Sequence, residues 1–91
     1  KDAEGVVGET ARSGMAYTLA SLSRYDEALS LFDGLVESSE GMMKQQLMVD
    51  RAKLYEAKGD SARAQELYVA FEAAFPDSQL LADIKPRIAQ Q

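Results

Sequence analysis

The 91-residue sequence contains no cysteine and no histidine. Without cysteine there is no disulfide framework, no thiolate nucleophile and no thiolate metal ligand. Without histidine the usual general base and the commonest metal ligand are also missing. No Gly-rich phosphate loop takes their place. The triplet GDS at Gly59–Ser61 follows a helical pattern rather than a strand, so it reads as a helix stop and cap and not as a nucleophile elbow. The acids form no convincing pair. Asp26 and Glu27 are adjacent and point apart on a helix. Asp33 and Glu37, four residues apart, are in register to share a cation, but solvated surface charge is the simpler account. These absences predict no catalytic residues, no metal site, no cofactor and no enzyme.

Two further absences narrow the partners. Ten bases against fifteen acids leave a net charge of −5, with no basic stripe for a phosphate backbone, so nucleic acid is not expected. Proteins with neutral or basic surfaces suit this charge better. No apolar run approaches the ~20 residues of a membrane helix, so this segment is not expected to insert into a membrane. The opening KDAEGVVGE lacks a methionine and reads as a piece of a longer protein or a processed one.

What remains is a helix former. The composition, 46% hydrophobic and 27% charged, belongs to a folded domain and not to a disordered tail. The length allows one small domain, 1–91, with a thin stability margin. Apolar residues recur at intervals of three and four, and no stretch alternates as a strand would. Val7, Ala11, Met15, Leu19 and Leu22 make the stripe of a first helix over about 7–22. Gly8 and Gly14 should fray its start, or Gly14 allows a close helix contact. A second helix runs from Tyr25 through Ala28, Leu29, Leu31, Phe32 and Leu35 to Val36, with Asp26 and Glu27 in its first turn. Ser38 or Ser39 is placed to cap a third helix over about 40–58, whose stripe is Met43, Leu47, Met48, Leu54 and Tyr55. Gly59 ends it, and Asp60 or Ser61 caps a fourth helix carrying Ala64, Leu67, Tyr68, Phe71 and Phe75 up to Pro76. Asp77 and Ser78 open a last segment, which Pro86 should kink or split, with Asp83 placed to cap the second piece. Short loops make successive helices antiparallel neighbours. Of the methionines, Met43 and Met48 suit the core and Met42 the surface; the three together also suit an adaptable binding patch.

The chain also repeats itself. At an offset of 36 residues Ala16 falls on Ala52, Leu19 on Tyr55, Ala28 on Ala64, Phe32 on Tyr68 and Leu35 on Phe71. Small residues meet small ones and large apolar residues meet large ones. This pattern resembles the tetratricopeptide repeat, a helix–turn–helix unit of 34 residues. The resemblance covers about 9–78. Pro76 falls where that family often ends a repeat, while Glu40 stands at the matching place in the first. Arg12 and Met48 occupy positions where the family carries an aromatic. The resemblance implies an all-α fold of antiparallel hairpins stacked as a short right-handed solenoid: repeat 1 over about 7–40, repeat 2 over about 41–76, and a C-terminal capping segment, 77–91. Leu80, Leu81, Ile84 and Ile88 would cover the second repeat. Further repeats upstream, or self-association through the first helix, would cover the first.

Partners of this family usually lie in the groove lined by the first helix of each repeat. The matching positions here are Ser13, Tyr17 and Ser21, then Gln46, Val49, Asp50 and Lys53. Tyr17 is either the best single anchor among them or a packing residue against the third helix. Lys53 is the only base, too few for the clamp by which some of these repeats grip a terminal carboxylate. The expected function is therefore a non-enzymatic scaffold that binds a protein or peptide. The alternative is a structural cap or oligomerisation module of a longer array. The ending AAFPDSQLLADIKPRIAQ is similar to terminal repeats of bacterial cell-envelope proteins of this family, including periplasmic ones tied to secretion and outer-membrane assembly. That implies an envelope or periplasmic setting with protein partners; the cytoplasm is the alternative.

The alignment makes one prediction about packing. Ala64→Leu should overfill the helix crossing and cost about 1–3 kcal/mol, read as a drop in Tm; an unchanged Tm refutes the register.

Overall fold

A computed structural model describes the backbone of residues 2–89 and the side chains of 11–88. Five α-helices follow one another: α1 (Asp2–Ser21), α2 (Tyr25–Ser38), α3 (Gly41–Lys58), α4 (Ser61–Ala74) and α5 (Leu81–Ala89). Among the described residues there is no strand. The chain is all-helical, with α1 packed on α2, α3 on α4, α2 on α3 and α5 on α4.

Two turns set the hairpins. Gly59 sits at φ +100, in the left-handed region that spares a glycine the clash of a Cβ. Its N–H donates to Glu56 O at 3.0 Å, and Asp60 N–H donates to Tyr55 O at 2.8 Å. This paired pattern satisfies carbonyls that the end of α3 would otherwise leave open. Thirty-six residues earlier the same pattern recurs. Ser23 N–H donates to Ala20 O at 3.0 Å, and Arg24 N–H donates to Leu19 O at 2.9 Å. There the left-handed residue is Ser23, at φ +63, and it carries the strain that glycine avoids.

Two apolar clusters fill the molecule. The first joins Ala16 to Ala28, Leu29, Phe32, Leu35, Val36, Leu47 and Leu54. The second joins Val49 and Ala52 to Ala64, Tyr68, Phe71, Leu81 and Ile84. Met48 and Tyr55 pack against both and make the cores continuous. Burying each large side chain, such as Phe32 or Phe71, contributes about 1.5–3 kcal/mol. The pairs at the 36-residue offset share their burial: Ala16 with Ala52, Ala28 with Ala64, Phe32 with Tyr68 and Leu35 with Phe71 are all at most 1% exposed. Leu81 and Ile84 cover the second cluster, and Leu80 and Ile88 pack beside them.

Several expectations need correction. The first helix begins at Asp2 and passes through both Gly8 and Gly14 without a break. Among the described residues a Cβ at Gly14 would meet nothing within 4 Å, so no close contact there explains that glycine. Met15 and Leu22 lie open, at 58% and 61% exposure. Met43 is 58% exposed and fills no core, while Met48 does. Gly41, at φ +65, opens α3, and the preceding Glu40 gives it no side-chain cap. Ser38 Oγ instead donates back to Leu35 O at 3.3 Å, within α2. Asp60 does cap α4, its Oδ1 accepting from Arg63 N–H at 3.1 Å. Ser78 Oγ accepts from Leu80 N–H at 3.1 Å as the chain enters α5. Pro86 does not split that segment, since α5 runs through it to Ala89. Asp83, expected as a cap, is drawn to a lysine of α3 instead.

The strained turn is directly testable. Ser23→Gly should relieve the left-handed strain, less the entropy that glycine loses on folding, and raise stability by about 0.5–1 kcal/mol. Urea unfolding reads this as a higher midpoint at unchanged slope; a lower midpoint would show that the serine side chain contributes more than its backbone costs.

Candidate protein-binding surface

Residues spaced by three and four share a helix face, so Ser13, Tyr17 and Ser21 align on α1 and Gln46, Asp50 and Lys53 on α3. These two faces meet. Tyr17 Oη donates to Asp50 Oδ2 at 2.6 Å, joining α1 to α3. Gln46 Nε2 donates to Asp50 Oδ1 at 3.1 Å, one turn away on the same helix. Both carboxylate oxygens of Asp50 therefore have donors. The Tyr17 ring stands edge-on to Phe32, with centroids 5.2 Å apart and planes at 84°. It is held at both ends and still presents 40% of its surface to solvent. Tyr17 thus packs against α2 and bonds to α3 while part of its ring stays open.

Burial raises the Tyr17 phenol well above its ordinary ionisation, and the hydrogen bond to Asp50 and that carboxylate's charge raise it further. The phenol stays a donor at neutral pH, as the contact with Asp50 requires.

The remaining predicted residues divide. Ser21 and Gln46 are exposed, and Ser13 is half-buried. Val49 is a correction: it is 1% exposed and packs in the second cluster with Tyr68, Phe71, Leu81 and Ile84. A branched aliphatic side chain one turn from Ala52 turns towards α4 and α5, and no partner can reach it there. Lys53 is not free either. Its Nζ lies 2.7 Å from Asp83 Oδ2, tying α3 to α5. The hydrogen bond from Lys53 is the main cause holding the Asp83 carboxyl below the usual carboxylate range, and the charges of Lys53 and Arg87 add to it. The only base placed on this face by the sequence is already paired.

A second polar chain lies beside it. Arg87 Nη1 reaches Glu56 Oε1 at 2.6 Å, and Tyr68 Oη donates to the same oxygen at 2.9 Å. Burial first, then Glu56, raises the Tyr68 phenol in the same sense as Tyr17. Gln65 Nε2 donates to the backbone oxygen of Arg87 at 2.8 Å, and Ser78 Oγ donates to Gln45 Oε1 at 2.6 Å. Glu56, Asp83 and Arg87 were missed from sequence. Their spacing carried a partial signal: Lys53 and Glu56 on one helix, and Asp83 and Arg87 on the other, are each one turn apart with opposite charges. Nothing in the order of residues said that the two pairs would face each other.

Chemically the surface offers a rigid aromatic and hydrogen-bonding groups beside it. Among the described residues no group of three or more metal-ligating side chains converges. Among the described residues no helix is long and apolar enough to cross a membrane. No family model, no curated protein and no solved structure matches the chain.

The Tyr17–Asp50 contact predicts an alkaline signature. A phenol whose folded ionisation is raised stabilises the fold fully below its ordinary value of about 10, and that contribution is lost as pH rises beyond it. Tyr17→Phe should therefore remove phenolate absorbance that otherwise appears only with alkaline unfolding. If the lost absorbance instead belongs to the native protein near pH 10, Tyr17 does not hold its proton as described.

Proposed function

We propose that this chain is a non-enzymatic interaction scaffold of the tetratricopeptide type. In this reading two repeats, about 7–40 and 41–76, stack as a short right-handed solenoid, and 77–91 closes the second. A protein or peptide binds along the face shared by α1, α3 and α5. The observation that carries the proposal is Tyr17. An aromatic ring held by Asp50 and Phe32, yet 40% exposed, offers contact area at little cost in conformational entropy. Gln46, Ser21 and Ser13 stand on the same face as hydrogen-bonding groups. Support for the repeat comes from the matched burial and the matched turn bonds at the 36-residue offset. With Lys53 bound to Asp83, recognition rests on shape and aromatic contact and not on gripping a carboxylate. The partner class is protein, and the resemblance of the tail puts the proposed setting in a bacterial cell envelope.

A second reading has its own observation. Lys53, Asp50, Glu56 and Arg87 all find partners within the chain. A face whose charges are already satisfied also suits a structural cap or oligomerisation module of a longer array, with no ligand in the groove.

A random-peptide display library separates the two. The scaffold reading expects peptides with a shared motif, chemical-shift changes along α1, α3 and α5, and affinity lost by about tenfold or more in Tyr17→Ala. Binders that map elsewhere, or that ignore Tyr17→Ala, refute it. A library that yields no binder supports the cap.

A further inference from the structure

The second apolar cluster is a groove with a helix laid in it. Val49 and Ala52 on α3, with Ala64, Tyr68 and Phe71 on α4, make its floor, and Leu81 and Ile84 of α5 close over them. The floor belongs to one hairpin, set by the Gly59 turn and the Asp60 cap. Tyr68 Oη has its acceptor, Glu56, within the same hairpin. The shape of the groove and its polar bond thus come from α3 and α4.

The helix that fills it is the element with least to hold it. It has nine residues, the fewest of the five helices. Helices shorter than ~12–15 residues are marginal alone in water, so α5 is helical because it is docked. Pro86 supplies no N–H to the carbonyl one turn back. Of the described side chains of α5, Leu81 and Ile84 are the two that are buried. Its ion pairs to α3, Lys53–Asp83 and Glu56–Arg87, are partly open to solvent, where such pairs contribute little. The segment that leads into it, 75–80, contains Pro76 and is not helical. Few buried apolar contacts and solvent-facing bonds mark the parts of a fold that open first.

The ties also carry a direction. Gln45 with Ser78, Lys53 with Asp83 and Glu56 with Arg87 pair in ascending order, so α5 runs in the same sense as α3. Lys53 and Glu56 stand about one turn apart and meet an acid in the first turn of α5 and a base in its last. That order is the one the helix dipole favours. A helix laid in the opposite sense would bring its base to Lys53 and its acid to Glu56.

We propose that α5 is a releasable latch on a helix-docking groove, and that a protein helix of the same chemistry displaces it. Such a helix has leucine or isoleucine three residues apart, an acid in its first turn and a base four residues later, and it enters parallel to α3. The floor of Val49, Tyr68 and Phe71 takes its apolar face, and Lys53 and Glu56 select its direction. This site lies beneath α5 and does not use Tyr17, so it stands apart from the face proposed for peptides.

A labelled peptide of residues 77–91, added to the full chain, tests it. The comparison is a loosened chain, Asp83→Ala with Arg87→Ala, whose changes lie outside both apolar clusters. In the wild type, amides of 81–89 should exchange with solvent about tenfold or more faster than those of α3 and α4, and faster again in the loosened chain with α2–α4 unchanged. The peptide should bind the loosened chain about tenfold or more tightly than the wild type, because the tethered helix competes at a high effective concentration. Exchanging Asp83 and Arg87 within the peptide, at constant composition, should cost about tenfold. In the loosened chain, peptide Asp83→Lys should lose about fivefold and recover it when the chain carries Lys53→Asp. Tyr17→Ala should change none of these results. Exchange of α5 in step with α4, a peptide bound equally by both chains or in both charge orders, or a loosened chain that dimerises in place of taking the peptide would each overturn the proposal.

Discussion

Close approach of paired helices is the constraint on which the rest depends. Ala16 and Ala28 in one hairpin, and Ala52 and Ala64 in the other, are at most 1% exposed, and a larger residue at any of them would force the backbones apart. The space beside each pair is then filled by one large side chain, Phe32 or Tyr68, that is itself buried. Close packing of this kind leaves little tolerance, which matters in a chain too short to hold a large core in reserve. It also determines which residues remain outside. Once Ala16 faces α2, the pitch of the helix aims Tyr17 at α3 and leaves Met15 on the far side.

Polar contacts then hold the helices that the apolar cores reach least. The short α5 has only Leu81 and Ile84 fully in the second cluster. Lys53–Asp83 and Arg87–Glu56 fasten it to α3 as well, and Ser78–Gln45 ties the turn before it to the same helix. Exposed ion pairs of this sort contribute little one by one, and linked sets contribute more. Their greater effect is on position. They fix α5 beside α3.

The elements legible from sequence are those where local and long-range demands agree. Gly59 both permits the left-handed turn and follows the last apolar residue of α3, so the end of that helix was plain. The core residues Phe32, Leu35, Leu47, Tyr68 and Phe71 were legible from their spacing alone. What could not be read was which apolar stripe would lack a cover. Val7, Ala11, Met15, Leu19 and Leu22 form as regular a pattern as any other, and periodicity does not say how many neighbours a helix will have. Val49 failed for the converse reason: its position was transferred from a groove, but here α4 and α5 close over it. Pro86 misled because its lack of an N–H was weighed without the packing of Ile84 and Ile88 on either side, which keeps α5 in one piece. The cross-helix pairs of Asp83 and Arg87 depend on the docking of α5, which no local signal encodes.

Read back to the sequence, the absence of histidine and cysteine has a structural counterpart in how the acids are used. Asp26, Asp33, Glu56 and Asp83 each face a base on a neighbouring helix, and Asp50 faces a tyrosine and a glutamine. Charges paired between helices hold the stack, and the large hydrophobic side chains left displayed include Tyr17 on one side of α1 and Met15 on the other.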